Sequence, residues 1–259
     1  MDWQATTAGA LTGLVVGLTG VGGGALMTPM LLLFFGAAPL TAVGTDLWFA
    51  AITKLAITGL HQRRRLIDWA VVRRLWAGSL TAATVTLVIL HVTPAAAPPF
   101  VTAAIGGAVC VTAIGLLAQR RLHAFSVRLD AGGAAIMREW QAAATVLAGA
   151  ILGTIVTLTS VGAGALGAVC LLYLYPNRLP MPRLIATDVA HAIPLALFAA
   201  VGHLWLGSVD ITLLRNLLIG SIPAALLGAA VSARLPHTWL RVALAVVLLV
   251  VGVKLLVGV

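Results

Sequence analysis

Apolar runs of roughly 20 residues fill this chain from end to end, the length a helix needs to cross a hydrocarbon core about 30 Å thick. Alternating ten-residue segments of the kind that build membrane barrels are absent. Backbone polar groups inside a bilayer must be satisfied within their own segment, so the expectation is an all-α integral membrane protein. With 61% hydrophobic and only 9% charged residues, the chain has too few polar side chains to clothe a soluble globule.

The charge excess, 16 Lys and Arg against 7 Asp and Glu, does not indicate a nucleic-acid partner. Most arginines fall in connections between apolar runs, where they orient a chain in the bilayer. Cys110 and Cys170 lie inside apolar runs without metal-ligand or redox spacing and are assigned to packing. The N-terminus lacks a basic region and a small-residue cleavage site, so no removable signal is expected. There is no GxxxxGK[ST], no HExxH and no frame that presents Ser160 as a nucleophile beside His191 and Asp188. Neither an enzyme nor a cofactor is expected.

The plan of the chain is set by a nine-residue stretch, Leu18 to Leu26, that returns at Leu158 to Leu166 with seven identities at an offset of 140. Beyond it the offset settles at 142. It pairs Thr45-Asp46 with Thr187-Asp188, His61 with His203, Asp68 with Asp210, Gly78-Ser79 with Gly220-Ser221 and Pro94 with Pro236. The chain therefore reads as two repeats of four apolar segments, 1–118 and 140–259, joined by a polar cytoplasmic linker over 119–139. The first segment of each repeat is overlong and is interrupted at its Gly motif, near Gly20 to Gly24 and Ser160 to Gly164.

Loop charge bears on how the repeats are oriented. The basic connection with Arg63, Arg64, Arg65, Arg73 and Arg74 matches a second-half connection holding only Arg215, while the uncharged connection near Pro94 matches one with Arg234 and Arg241. Eight crossings would put matched loops on one side. If the first segment of each repeat is instead a re-entrant hairpin, each repeat crosses three times and the repeats are inverted. Every loop arginine except Arg215 then faces the cytoplasm, which the positive-inside rule favours.

A duplicated Gly cluster at membrane depth points to unwound backbone, tolerated only where protein or a cavity surrounds it. Half-helices resuming near Ala25 and Ala165 would aim free N–H groups and positive dipole ends at the midplane, which suits an anion. Candidate substrate-binding residues are thus Thr19, Gly20, Gly22, Gly23, Gly24, Thr159, Ser160, Gly162 and Gly164, with Thr157 nearby. Lys54 has two readings, a stem snorkelling to the interface or a cation facing the substrate path. Asp46 and Asp188 read either as structural groups near helix starts or, with His191, as coupling or gating groups. His61 and His203 read as interfacial, Pro194 and Pro223 as kink positions, and the tryptophans as interfacial anchors.

Taken together, the Gly motifs, Ala42 to Asp46, His61 to Asp68, Ala186 to Pro194, Gly202-His203 and Gly220 to Pro223 resemble the TauE/SafE family of sulfite exporters. The likeness covers nearly the whole chain. It departs at Val169, where Pro29 follows the first motif, and at Ala163, which replaces a Gly, so the two half-sites are not equivalent. The resemblance implies a secondary transporter in the cell inner membrane that exports sulfite, an organosulfonate or a similar small sulfur-containing anion by alternating access. An inside-negative potential would favour outward movement of an anion by about 2.3 kcal/mol per charge per 100 mV. Two alternatives stay open: a cation or proton carrier using Asp46 and Asp188, and a non-transporting membrane scaffold. A homodimer is also left open.

Overall fold

The computed structural model describes residues 2–19, 24–60, 66–93, 97–162, 164–176, 178–232 and 237–257. Gly20, Gly22 and Gly23 of the first motif, Ala163 of the second, His61, Arg63 to Arg65, Pro94, Arg234 and Pro236 lie outside the described residues. Among these residues the chain forms α1 (Trp3–Thr19), α2 (Gly24–Leu33), α3 (Pro39–Leu60), α4 (Trp69–Val92), α5 (Ala97–Thr159), α6 (Ala165–Leu174), α7 (Met181–Trp205), α8 (Ile211–Ser232) and α9 (His237–Val257), with no strand. Six stretches are long and apolar enough to cross a membrane: 39–58, 69–92, 100–118, 140–159, 181–205 and 211–231. Their outer faces expose large apolar side chains such as Val88, Ile114, Leu147, Phe198 and Leu227, as a lipid-facing surface requires.

The second Gly motif breaks its helix for a stereochemical reason. Ser160, Gly162 and Gly164 have φ values of +56°, +105° and +130°, which no right-handed helix accommodates. After the break α6 runs back along the end of α5. Thr145 Oγ1 lies 2.8 Å from the Tyr175 hydroxyl, and the Gln141 side-chain amide donates to Leu174 O at 2.6 Å, so the chain returns to the level at which the span 140–159 began. Helix α2 likewise turns back along α1, the Thr12 hydroxyl meeting Met30 Sδ at 3.8 Å.

Helix α5 is not a straight rod. Gly115 packs against Val169 and Leu166, while Leu152 and Val156 border Gly162, Gly164 and Gly167. A straight helix would hold residues 115 and 152 about 55 Å apart. The backbone of the polar stretch 119–139 is helical, and the chain reverses between the two apolar spans that flank it.

Glycines let α1 lie on α8 and the end of α5 lie on α4. A Cβ on Gly9 would strike Leu217 backbone and one on Gly13 would strike Ser221; a Cβ on Gly149 would strike Leu75 and one on Gly153 would strike Ser79. These are the same contacts with partners exchanged at the offsets of 140 and 142. A pair of capping bonds is exchanged in the same way: Asp68 N–H donates to Thr187 Oγ1 and Asp210 N–H to Thr45 Oγ1, each at 3.0 Å.

Candidate functional site

Between the turn of the second hairpin and the interior faces of α3 and α7 lies a set of buried polar side chains. Asp46 is fully buried, Asp188 is 4% exposed, Lys54 5%, Ser160 3% and His191 2%. The two carboxylates do not cap their own helices and are not close to water. Each lies against a half-helix near its N-terminal end. Thr28, one turn into α2, donates its hydroxyl to Asp46 Oδ2. Gly167, in the first turn of α6, leaves the space that Asp188 Oδ1 occupies, and any Cβ there would collide with it. The pairing suits the partial positive charge of such helix ends.

Lys54 does not snorkel to an interface; it is enclosed, within electrostatic range of both Asp46 and Asp188. The snorkelling reading is therefore corrected. His191 Nε2 lies 3.0 Å from Ser79 Oγ, and with Asp188 it borders the same small cleft as Gly162, Gly164 and Gly167. Three oxygens in this region, Asp46 Oδ1, Asp188 Oδ1 and Ser160 Oγ, are buried without a hydrogen-bond partner. Such groups are costly to leave unsatisfied in a buried region.

The remaining candidates divide. Thr19 Oγ1 donates to Val15 O at 2.7 Å and Thr159 Oγ1 to Ile155 O at 2.6 Å, while Val161 N–H donates to Thr159 Oγ1 at 3.1 Å. These two hydroxyls serve the backbone at the ends of broken helices. Gly24 opens α2, whereas Gly20, Gly22 and Gly23 lie outside the described residues. His203 is not interfacial: it is fully buried, with Nε2 2.9 Å from Thr157 O. The break at Ser160 leaves that carbonyl needing a partner, which the imidazole supplies. Nor are all tryptophans interfacial anchors, since Trp48 Nε1 donates to Ala200 O at 3.1 Å and Trp76 Nε1 to His191 O at 3.3 Å.

Some contributors escaped the sequence. Thr28 carries no motif signal, and Ser79 and Ser221 showed only as repeated Gly-Ser pairs; Ser221 Oγ sits 3.0 Å from Thr53 Oγ1. Away from the site, Asp68 caps α4 and accepts Arg178 at 2.8 Å, with Arg183 at 3.7 Å. Its repeat counterpart Asp210 accepts Leu213 N–H at 2.9 Å, and the first-half loop facing it, residues 34–38, contains no arginine. A cavity of about 230 Å³ between α1, α2 and α9 is lined almost wholly by apolar side chains, with Thr12 its one hydroxyl. No charged side chain lines it.

Among the described residues no group of His, Cys, Asp or Glu is arranged to hold a metal ion. The arrangement brings one ammonium and two carboxylates together beside the first turns of two half-helices.

Comparison with known proteins agrees with a transport role. Residues 5–255 match the family described as Sulfite exporter TauE/SafE. A Bacillus subtilis (strain 168) protein described as "Probable membrane transporter protein YjnA" is 37% identical over 255 residues, covering 96% of this chain and 97% of its own length. No solved structure matches.

Proposed function

The chain belongs to the sulfite exporter TauE/SafE family and is a multi-pass membrane transporter, and from that premise we propose that it exports sulfite, an organosulfonate or a similar small sulfur-containing anion by alternating access. The observation that carries this reading is the broken helix: its turn holds the buried Ser160 hydroxyl and opens the N-terminus of α6, with the buried Lys54 ammonium in electrostatic range of the carboxylates beside it. The substrate would sit there, its oxygens facing backbone N–H groups at Gly164 to Leu166, the Ser160 hydroxyl and the Lys54 ammonium. Alternating access would rock one half of the chain against the other.

The same reading takes α1 with α2, and the end of α5 with α6, as re-entrant hairpins, which leaves three crossings in each half and inverts the halves. In its support, the helix contacts and capping bonds recur with exchanged partners, and α6 ends beside the residues where its own hairpin began. One observation favours the competing reading of a cation or proton carrier: two of the site's three charged groups are carboxylates.

Exchange of labelled sulfite and of methanesulfonate across liposomes containing the purified protein separates these readings. Anion exchange that Gly164→Leu lowers at least tenfold, in protein that still elutes as a single species, is expected. Cation flux without anion flux, lost in Asp46→Asn, would replace the anion reading by the cation reading. Absence of both would leave a membrane scaffold.

A further inference from the structure

Three charged side chains that lie apart in the sequence share this buried site, and their charges do not balance. Asp46 and Lys54 come from α3 and Asp188 from α7, none more than 5% exposed. Each element packed around them contributes as follows. The α2 helix supplies the Thr28 hydroxyl to Asp46. The turn after α5 brings Ser160 close to the same carboxylate. From α6, Gly167 touches Asp188 and Cys170 lies within its electrostatic range. On α7, His191 lies beside Asp188 in the cleft and is engaged from α4 by Ser79. Beside the cleft α5 offers only Leu152 and Val156, and α8 offers Ser221, through Thr53. With His191 and Cys170 in their ordinary neutral forms, one ammonium faces two carboxylates.

A region closed to water does not hold an unbalanced charge at low cost. The empty site is neutral when one carboxylate carries a proton. An anion that enters beside Lys54 brings a further negative charge, and it approaches helix ends that carboxylates already occupy. The loaded site is neutral only when the second carboxylate is protonated too. The unsatisfied oxygens Asp46 Oδ1 and Asp188 Oδ1 are where such protons would sit, and each would then turn an acceptor into a donor toward the anion.

Building on the transport reading above, we infer that each monovalent anion crosses together with one proton, held by the Asp46–Asp188 pair. Empty and loaded states differ by one anion and one proton, so no net charge moves. The membrane potential then has no hold on the cycle, and the anion leaves the cell down its own gradient, against any inward proton gradient. The potential-driven export expected for a bare anion does not apply.

The test uses the full chain in liposomes, a potassium diffusion potential set by valinomycin, a separately imposed pH step and an internal pH dye. Methanesulfonate serves as a monovalent anion that stays ionised throughout, with sulfite beside it. The expected result is uptake that rises severalfold with an inward proton gradient, acidifies the interior, and is unchanged when the potential is reversed at equal pH. By the same charge count, Asp46→Asn or Asp188→Asn alone keeps one proton per anion, because the carboxylate that remains still balances Lys54. Wild-type flux that follows the potential and leaves internal pH unchanged overturns the inference, and that measurement needs no variant. If neither anion moves, the transport reading itself has failed.

Discussion

Ser160 combines two costs that a structural residue would avoid. Its φ is +56°, a region that penalises a side chain, and its hydroxyl is buried without a partner. At the offset of 140 its counterpart is Gly20, so the first copy has the residue that suits the geometry and the second does not. The strain is retained where the hydroxyl lies close to the Asp46 carboxylate. Ser160→Gly is therefore expected to raise stability by up to about 1 kcal/mol, read as a higher Tm in detergent, while anion exchange falls. Equal or faster exchange in that variant would remove Ser160 from the site. The motif made Ser160 legible as a candidate, yet its role depends on Asp46, 114 positions away in the chain, which no local pattern connects to it.

The helix pairs α1/α8 and α4/α5 depend on small residues, as helix packing in lipid generally does, because apolar side chains gain nothing by leaving lipid for one another. Gly13 and Gly153 stand where backbone meets backbone, so a larger side chain must push the helices apart. Gly13→Leu and Gly153→Leu are each expected to destabilise by about 2–3 kcal/mol, seen as a lowered Tm or a loss of monodisperse protein. Similar losses at both would match the exchanged partners of the two contacts, whereas a neutral result at either would contradict the packing at that pair. The element boundaries were largely readable from hydropathy. The exceptions are α5, which stays helical through the stretch 119–139 read as a linker, and α4, which starts at Trp69, ahead of its apolar run, because Asp68 accepts Val71 N–H and caps the helix there. A capping residue is a single polar atom, and an apolar run does not reveal where it acts.

For the whole molecule, the re-entrant reading makes a topological prediction. A hairpin that enters and leaves on one side places its two ends in the same compartment. In a background with Cys110 and Cys170 replaced, Asp2→Cys and Ala38→Cys are expected to react with an impermeant maleimide from one side, together with a cysteine at Arg215. A cysteine at Arg234 is expected to react from the other. Labelling of Asp2→Cys and Ala38→Cys from opposite sides would make the first segment a broken spanning helix and remove the inverted arrangement. The six long apolar stretches do not decide this, since each reads the same in either direction.

The sequence by itself determined that the chain lives in a bilayer as helices, that its two halves share a pattern, and that helices break at the Gly motifs. Each follows from local chemistry: hydropathy over a span, identity at a constant offset, and residues suited to positive φ. Only the tertiary structure decided that Lys54 is buried within electrostatic range of Asp46 and Asp188, that His203 serves the Thr157 carbonyl, and that Thr28 and Gly167 meet the two carboxylates. Those relations join separate helices. Helical periodicity says which residues share a face, and the face a neighbouring helix will meet is chosen only when all of them pack.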